Sequence, residues 1–235
     1  MQQGRSVERE HASDGLKCLR TGPVCSGVRS GRAGMAIRQD ETVQTLIDWA
    51  DGAWSHEPLA VDLDGTDLVV TAVEGSDAWR VTSYGFTHDN EHALLRPMPS
   101  ETAIEVAFTI AFDEQFDQGG LFLKASADHW IKAGVEFADG TPQLGVVVTN
   151  RLSDWSAAPV PEWQGRMVTI RASRSGDAVT IRARVDDEPF RFVRLVPLDP
   201  SLTIDAGPYL CAPTRSGLTL RFHSWTQTAA DRALH

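Results

Sequence analysis

The stretch His129-Trp130-Ile131-Lys132-Ala133-Gly134-Val135-Glu136-Phe137-Ala138 decides the fold. Ile131, Ala133, Val135 and Phe137 alternate with Trp130, Lys132, Gly134 and Glu136, and a β-strand sends two such sets to opposite sides. One side is core. The other carries an indole, an ammonium, a bare glycine and a carboxylate in a row, a set that a wholly solvated sheet face does not call for. Lys132 and Glu136 lie roughly 13 Å apart along an extended strand at ~3.3 Å per residue, too far for a direct ion pair within it. Each needs another partner. Upstream, Asp117-Gln118-Gly119-Gly120-Leu121-Phe122-Leu123-Lys124 sets an acid and an amide before paired glycines, which mark a bulge or a close backbone approach. The turn Ser126-Ala127-Asp128 pairs this run with the Trp130 strand as a hairpin. Downstream, Asp139-Gly140 leads into a strand ending at Thr149-Asn150. A loop is expected to follow over Ser153-Asp154-Trp155-Ser156, where compact polar groups surround a flat indole.

The same period continues through the chain. Strand-like runs fall at 67–73, 78–83, 103–112, 119–126, 129–138, 143–149, 166–174, 178–185, 189–196, 205–211 and 217–226. Asp64-Gly65, Asp139-Gly140, Ser175-Gly176-Asp177 and Asp186-Asp187-Glu188-Pro189 supply the turns. Many short strands joined by tight turns predict an all-β protein of antiparallel sheets packed face to face. No repeat of fixed period points to a propeller or solenoid. One short helix is expected over 41–51, where Val43, Leu46, Ile47 and Ala50 share a helical face.

With 235 residues, 42% hydrophobic and 23% charged, the chain has the composition of a globular protein with one large domain. That domain is expected over 35–228, with 229–235 as a C-terminal tail. Residues 1–34 hold six Lys/Arg against three Asp/Glu, are rich in Gly and Ser, and lack periodicity. They read as a disordered tail, and a translation start at Met35 would leave them out altogether. The formal charge of −10 disfavours nucleic acid and anionic membrane as partners, since both are held through Lys and Arg. No apolar run approaches the ~20 residues of a membrane span, and no secretory signal is visible. Cys18, Cys25 and Cys211 imply no disulfide framework, so a reducing cytoplasm is the expected location.

Several segments together resemble the DUF1349 family. They are Trp54 to Pro58, Asp77-Ala78-Trp79, Asp117-Gln118-Gly119-Gly120-Leu121, Trp130 to Glu136, Val147-Val148-Thr149 and Ser153-Asp154-Trp155-Ser156. The resemblance covers about residues 45 to 226; Gly119 and Ala78 depart from the family's usual alanine and bulky residue. It implies a concanavalin A-like jelly roll. The family includes a yeast protein linked to enolase regulation, which implies a regulatory role as one reading.

Trp79, Trp130 and Trp155 offer planar apolar surface, while Lys132, Glu136, Asp117, Gln118, Thr149, Asn150 and Asp154 offer groups for hydroxyls. Together they suit a carbohydrate or another polyhydroxylated small molecule, bound without catalysis. The competing reading is structural: tryptophans that fill the sandwich rim, acids that cap turns, and Lys132 with Glu136 in a cross-strand ion network. A cytoplasmic regulatory or protein-interaction module is the alternative function. A sugar-active hydrolase or isomerase is the third, with Glu136 as the acid and Asp117 as its candidate partner. The carboxylate signature common among glycosidases of this fold is absent. No phosphate loop, nucleophile motif or compact metal-binding pattern occurs, so no cofactor or metal is expected. His88 and His92 with Asp89 and Glu91 read as a solvated turn.

Overall fold

Residues of alternating polarity, facing core and surface by turns, build two antiparallel sheets in the computed structural model, which describes residues 43–234. The first sheet runs β15 (Arg191–Pro197), β14 (Ala178–Val185), β13 (Met167–Ser175), β8 (Thr102–Thr109), β17 (Thr219–Ala229), β4 (Asp67–Thr71) and β3 (Ala60–Asp64), with β1 (Thr45–Leu46) beside β17. The second runs β12 (Leu152–Pro159), β11 (Thr141–Asn150), β10 (His129–Ala138), β9 (Gln118–Ser126), β16 (Asp205–Cys211), β7 (His92–Pro97) and β2 (Ala53–Trp54). A separate hairpin pairs β5 (Ala78–Arg80) with β6 (Thr87–Asp89). The expected antiparallel β-sandwich is present.

Between the sheets lies a core supplied by every second residue. Leu121, Leu123, Ile131, Ala133, Val135 and Val146 meet Ile104, Val106, Phe108, Ile170, Phe222 and Trp225. The opposite face of the second sheet carries its own smaller cluster, Ala93, Phe122, Trp130, Val147, Tyr209 and Cys211, beneath Ala78 of the hairpin. The second sheet is therefore covered on both faces over its centre. Long buried runs in β9 and β10 follow from this double cover, which polar-out alternation alone does not anticipate.

The turns form as their residues require. Asp139 and Gly140 both take positive φ, 55° and 77°, in the two-residue link of β10 to β11. No long helix forms at the N-terminal end of the described chain. Glu41 and Thr42 lie outside the described residues; beyond them Thr45 and Leu46 pair with β17, and only a 3-10 turn, Trp49–Asp51, follows. Helix nucleation in so short a segment is costly, whereas the edge of β17 offers ready backbone partners and Ile47 N–H donates to Trp225 O at 2.7 Å. Asp48 caps the 3-10 turn by accepting from Ala50 N–H at 2.9 Å. The expectations for residues 1–34, including Cys18 and Cys25, fall outside the described residues.

Strands β1, β2, β3, β6, β7 and β12 were not read from the sequence, and β12 occupies the segment expected to be a loop. Past β17, Asp231 is held by Arg171 and Arg182 at 2.7 and 3.0 Å, so the residues set apart as a C-terminal tail begin against the outer face of the first sheet. Among the described residues no helix is long and apolar enough to cross a membrane.

A row of glycines crosses the outer face of the second sheet: Gly134 is opposite Gly120 on one side and Gly145 on the other. A Cβ on Gly134 would lie 2.1 Å from Gly119 O, a backbone atom that cannot swing away. Gly134→Ala is expected to cost about 1–3 kcal/mol, the usual penalty of overpacking, measured as a lower midpoint in urea denaturation.

Candidate functional site

Strand register assembles the polar part of this outer face. Lys132 stands opposite Phe122 and Val147, while Glu136 stands opposite Gln118 and Gln143; the bare glycine row separates the two levels. Lys132 is only 4% exposed. Its Nζ donates to Gln118 Oε1 at 2.6 Å, to Ala78 O at 3.0 Å and to Asp77 Oδ1 at 3.2 Å. Gln118 Nε2 donates to the same Asp77 oxygen at 3.2 Å. Burial opposes the ammonium, but the Asp77 carboxylate, with Glu136 behind it, outweighs that cost and holds the Lys132 pKa above its ordinary value.

Asp77 arrives on a strap between β4 and β5 that is pinned at several points. Val73 N–H donates to His92 Nε2 at 3.0 Å, Gly75 N–H to Ala212 O at 2.9 Å, and Asp77 N–H to Asn90 Oδ1 at 3.0 Å. His92 Nδ1 in turn donates to His56 O at 3.0 Å, and burial keeps the His92 pKa below its usual value, as expected of a neutral ring that must accept from Val73. Arg80 N–H donates to Ser153 Oγ at 2.9 Å, which docks β5 onto β12.

Glu136 differs from Lys132. It is half-buried, and among the described residues no group hydrogen-bonds its carboxylate. Burial pushes its pKa up to about 7, with Lys132 pulling down and Asp77 pushing further up. Burial likewise pushes Tyr209 and Cys211 well up, so both stay neutral nearby.

A recess of about 320 Å³ opens above these groups. Asp77, Gln118, Lys132 and Glu136 line its polar part; Trp79, Tyr84, Phe86, His88, Phe116 and Trp155 supply aromatic walls, and Gly75, Pro213 and Thr214 complete it. The hairpin rings contact one another in sequence: Trp79 to Tyr84 edge-on at 5.5 Å, Tyr84 to Phe86 stacked at 5.3 Å, and Phe86 to His88 edge-on at 4.7 Å. Backbone strain gathers here. Val81, Ser83 and Phe116 take φ of 65°, 62° and 69°, which a β-branched or bulky residue adopts only when its surroundings impose it.

Of the residues singled out from sequence, Lys132, Glu136, Gln118, Trp79 and Trp155 come together at this recess. Trp130 does not reach it. The ring is 5% exposed and stacks on Phe122 at 5.3 Å, within the outer cluster that the sequence did not anticipate. Asp117 is clamped by Arg215, at 2.9 and 2.7 Å, and accepts from Asp113 N–H and Glu114 N–H. It braces a loop and does not pair with Glu136. Thr149 is buried with its hydroxyl on Ser153 Oγ at 2.8 Å. Asp154 points away from the recess to Arg194 at 2.7 Å, because the expected loop is strand β12 and its alternation separates Asp154 from Trp155. Asn150 borders a different hollow.

That second hollow is larger, about 500 Å³, and is lined chiefly by apolar residues such as Leu123, Ile131, Val148, Val196, Leu202 and Ile204. Its size exceeds its chemistry: no buried charged group faces it, whereas the smaller recess holds both Lys132 and Glu136. Asp77, Tyr84, Phe86, Phe116 and Thr214 are recess residues that the sequence reading passed over, and the expected solvated turn at 88–92 is instead strand-bound, with His88 on β6 at the recess and Glu91 and His92 buried. Asp77 and Trp79 shared one quoted segment, but the strap that carries Asp77 to Lys132 across the fold has no local signature. Among the described residues, no group of three or more His, Cys, Asp and Glu gathers as a metal site would.

The architecture is that of an antiparallel β-sandwich with an aromatic-walled polar recess on one sheet. Within that class the chain belongs to the family described as protein of unknown function DUF1349, whose pattern matches residues 54–230. A curated relative, "Regulation of enolase protein 1" of Saccharomyces cerevisiae, is 33% identical over 187 residues, spanning 79% of this chain and 94% of the relative. The crystal structure of a functionally unknown protein from Saccharomyces cerevisiae superposes with a TM-score of 0.74 at 31% identity, over 79% of this chain and all of that one, 100%. A xylan β-1,4-xylosidase from Bacillus halodurans shares the fold alone, with a TM-score of 0.61 at 13% identity over 78% of this chain and 38% of the enzyme.

Two outcomes test the site's electrostatics. Lys132→Met strands Asp77 and the Gln118 carbonyl, and is expected to cost about 3–5 kcal/mol in urea denaturation; adding Asp77→Asn should recover part of the loss. Glu136 has a folded pKa of about 7 against an ordinary 4.5, so its ionisation works against the fold. The cost is absent below pH ~4.5, grows as pH rises towards 7 and is complete above it. Relative to wild type, Glu136→Gln should therefore gain stability across that window, by an amount on the order of 3 kcal/mol, read from melts at pH 4.5 and pH 8.

Proposed function

We propose that this protein is a non-catalytic binding module for a carbohydrate or another polyhydroxylated small molecule, held in the recess between the β5–β6 hairpin and the second sheet. One observation carries the reading: the Glu136 carboxylate, in a recess that Trp79 and Trp155 also line, has no hydrogen-bond partner among the described residues. An aromatic face suits the C–H side of a sugar ring, and an unsatisfied carboxylate accepts from a pair of hydroxyls. Trp155 is 39% exposed and so offers its ring to an incoming ligand.

Catalysis is less well supported. Asp77, which acts electrostatically on Glu136, is tied through Oδ1 to Lys132, Gln118 and Ala78 N–H, and Asp117 is committed to Arg215. Neither carboxyl is therefore a free partner like those that glycoside hydrolysis uses: Asp117 is committed on both oxygens, and Asp77 is ion-paired to Lys132 and keeps only Oδ2 open. A cytoplasmic regulatory or protein-interaction module is the second reading, favoured by the name of the yeast relative and by Tyr84 and Phe86, which stand exposed on the hairpin. The acidic balance of the chain supports partners other than nucleic acid or anionic membrane.

Thermal shift against a panel of monosaccharides, disaccharides and polyols tests the proposal. Saturable stabilisation by a member of the panel is expected, and Trp155→Ala should weaken its affinity by about tenfold or more, as loss of a stacking ring does. Silence across the panel, with stabilisation by a partner protein instead, would favour the second reading.

A further inference from the structure

The recess is unequal in what it leaves free. Every charged or amide N–H on its polar side is already spent within the protein. The ammonium of Lys132 has three donors, and they go to Asp77 Oδ1, Ala78 O and Gln118 Oε1 at 3.2, 3.0 and 2.6 Å. The Gln118 amide gives its N–H groups to Asp77 Oδ1 and Phe116 O at 3.2 and 3.3 Å, and Trp79 Nε1 gives its own to Thr82 O at 2.9 Å. A phosphate or carboxylate entering here meets no free ammonium, guanidinium or amide; the recess donors left without a partner among the described residues are the Trp155 indole N–H, the Tyr84 hydroxyl and the His88 ring.

Carboxylate acceptors are also left over. Both oxygens of Glu136 lack a hydrogen-bond partner among the described residues, and so does Asp77 Oδ2, since all three donors to Asp77 fall on Oδ1. The Lys132 charge is matched by Asp77 at 3.2 Å, so Glu136 is the carboxylate whose charge has no paired cation in contact. The recess is also lined by the rings of Trp79, Tyr84, Phe86 and Trp155, and a π-cloud attracts a cation.

From this inventory we infer that the ligand is a polyol bearing a protonated amine, such as an amino sugar with a free ammonium group, and that the recess turns anionic sugars away. The inference rests on the polyol-binding reading above and narrows it. The ammonium would donate to Glu136, neighbouring hydroxyls to Asp77 Oδ2, and the ring would lie against the aromatic walls. Lys132 is a positioning residue in this arrangement: it holds Asp77 and Gln118 but does not touch the ligand.

Titration calorimetry at pH 7 with glucosamine, glucose, N-acetylglucosamine and glucuronate tests it on the wild-type chain. Glucosamine is expected to bind at least about tenfold more tightly than glucose, the worth of a charge-assisted hydrogen bond. N-acetylglucosamine, with the amine neutralised, should fall back to the level of glucose or below, and glucuronate should not bind. Glu136→Gln should erase the preference for glucosamine, read as the ratio of glucosamine to glucose affinity falling to about one, since an amide offers the ammonium no charge. Equal binding of glucose and glucosamine, or tight binding of glucuronate, overturns the amine assignment while leaving the polyol reading in place. Silence for all four sugars, and for the wider panel, overturns both. The ranking on the wild-type chain decides the matter even where the variant fails to fold.

Discussion

An ammonium taken out of water must find a countercharge and a full set of acceptors, or it destabilises the structure that buries it. Lys132 meets both demands only through residues far along the chain: Asp77 and Ala78 on the strap and hairpin, and Gln118 on the neighbouring strand. The β5–β6 hairpin is therefore fastened to the second sheet at a polar point, with Ser153 on Arg80 N–H as another. Remove the Lys132 contacts and Asp77, Ala78 and the aromatic residues that follow lose one of their anchors. The recess walls are thus a consequence of one buried charge network as much as of apolar packing.

The small outer cluster and the glycine row complete that arrangement. Phe122, Trp130 and Tyr209 pack on the outer face of the second sheet, with Phe122 against Trp130 at 5.3 Å and against Tyr209 at 5.7 Å. They give the hairpin an apolar base beside the polar anchor. Gly120, Gly134 and Gly145 leave the adjacent level without side chains, and the Trp155 indole nitrogen lies 3.1 Å from where a Cβ on Gly145 would be. The glycines thus let an aromatic wall approach the sheet. Strained φ values at Val81, Ser83 and Phe116 mark where the chain is bent to bring those walls round.

Kinship and fold bear differently on function. The yeast relatives match nearly their full lengths, so the whole sandwich is the unit in common. The likeness to a xylosidase covers 38% of that enzyme at 13% identity and speaks for architecture only. The chemistry of the recess follows from its own atoms, where the ammonium and amide donors are spent and carboxylate oxygens remain.

Local sequence determined the strands and turns of this protein, because side-chain alternation and positive-φ turn residues act over a few positions. Ile131, Ala133 and Val135 face the core and Asp139-Gly140 turns the chain, as their pattern requires. The pairing of Lys132, Gln118 and Glu136 on one face was equally legible, since the β9–β10 hairpin joins neighbours in sequence. Tertiary structure alone decided the rest. The segment after Val43 gave up a helical pattern for the edge of β17, Trp130 was covered, Asp117 was claimed by Arg215, and the 153–156 loop became an edge strand. Each outcome turned on a partner tens of residues away, and no local period records which distant strand, strap or guanidinium will arrive to satisfy a given backbone edge or buried charge.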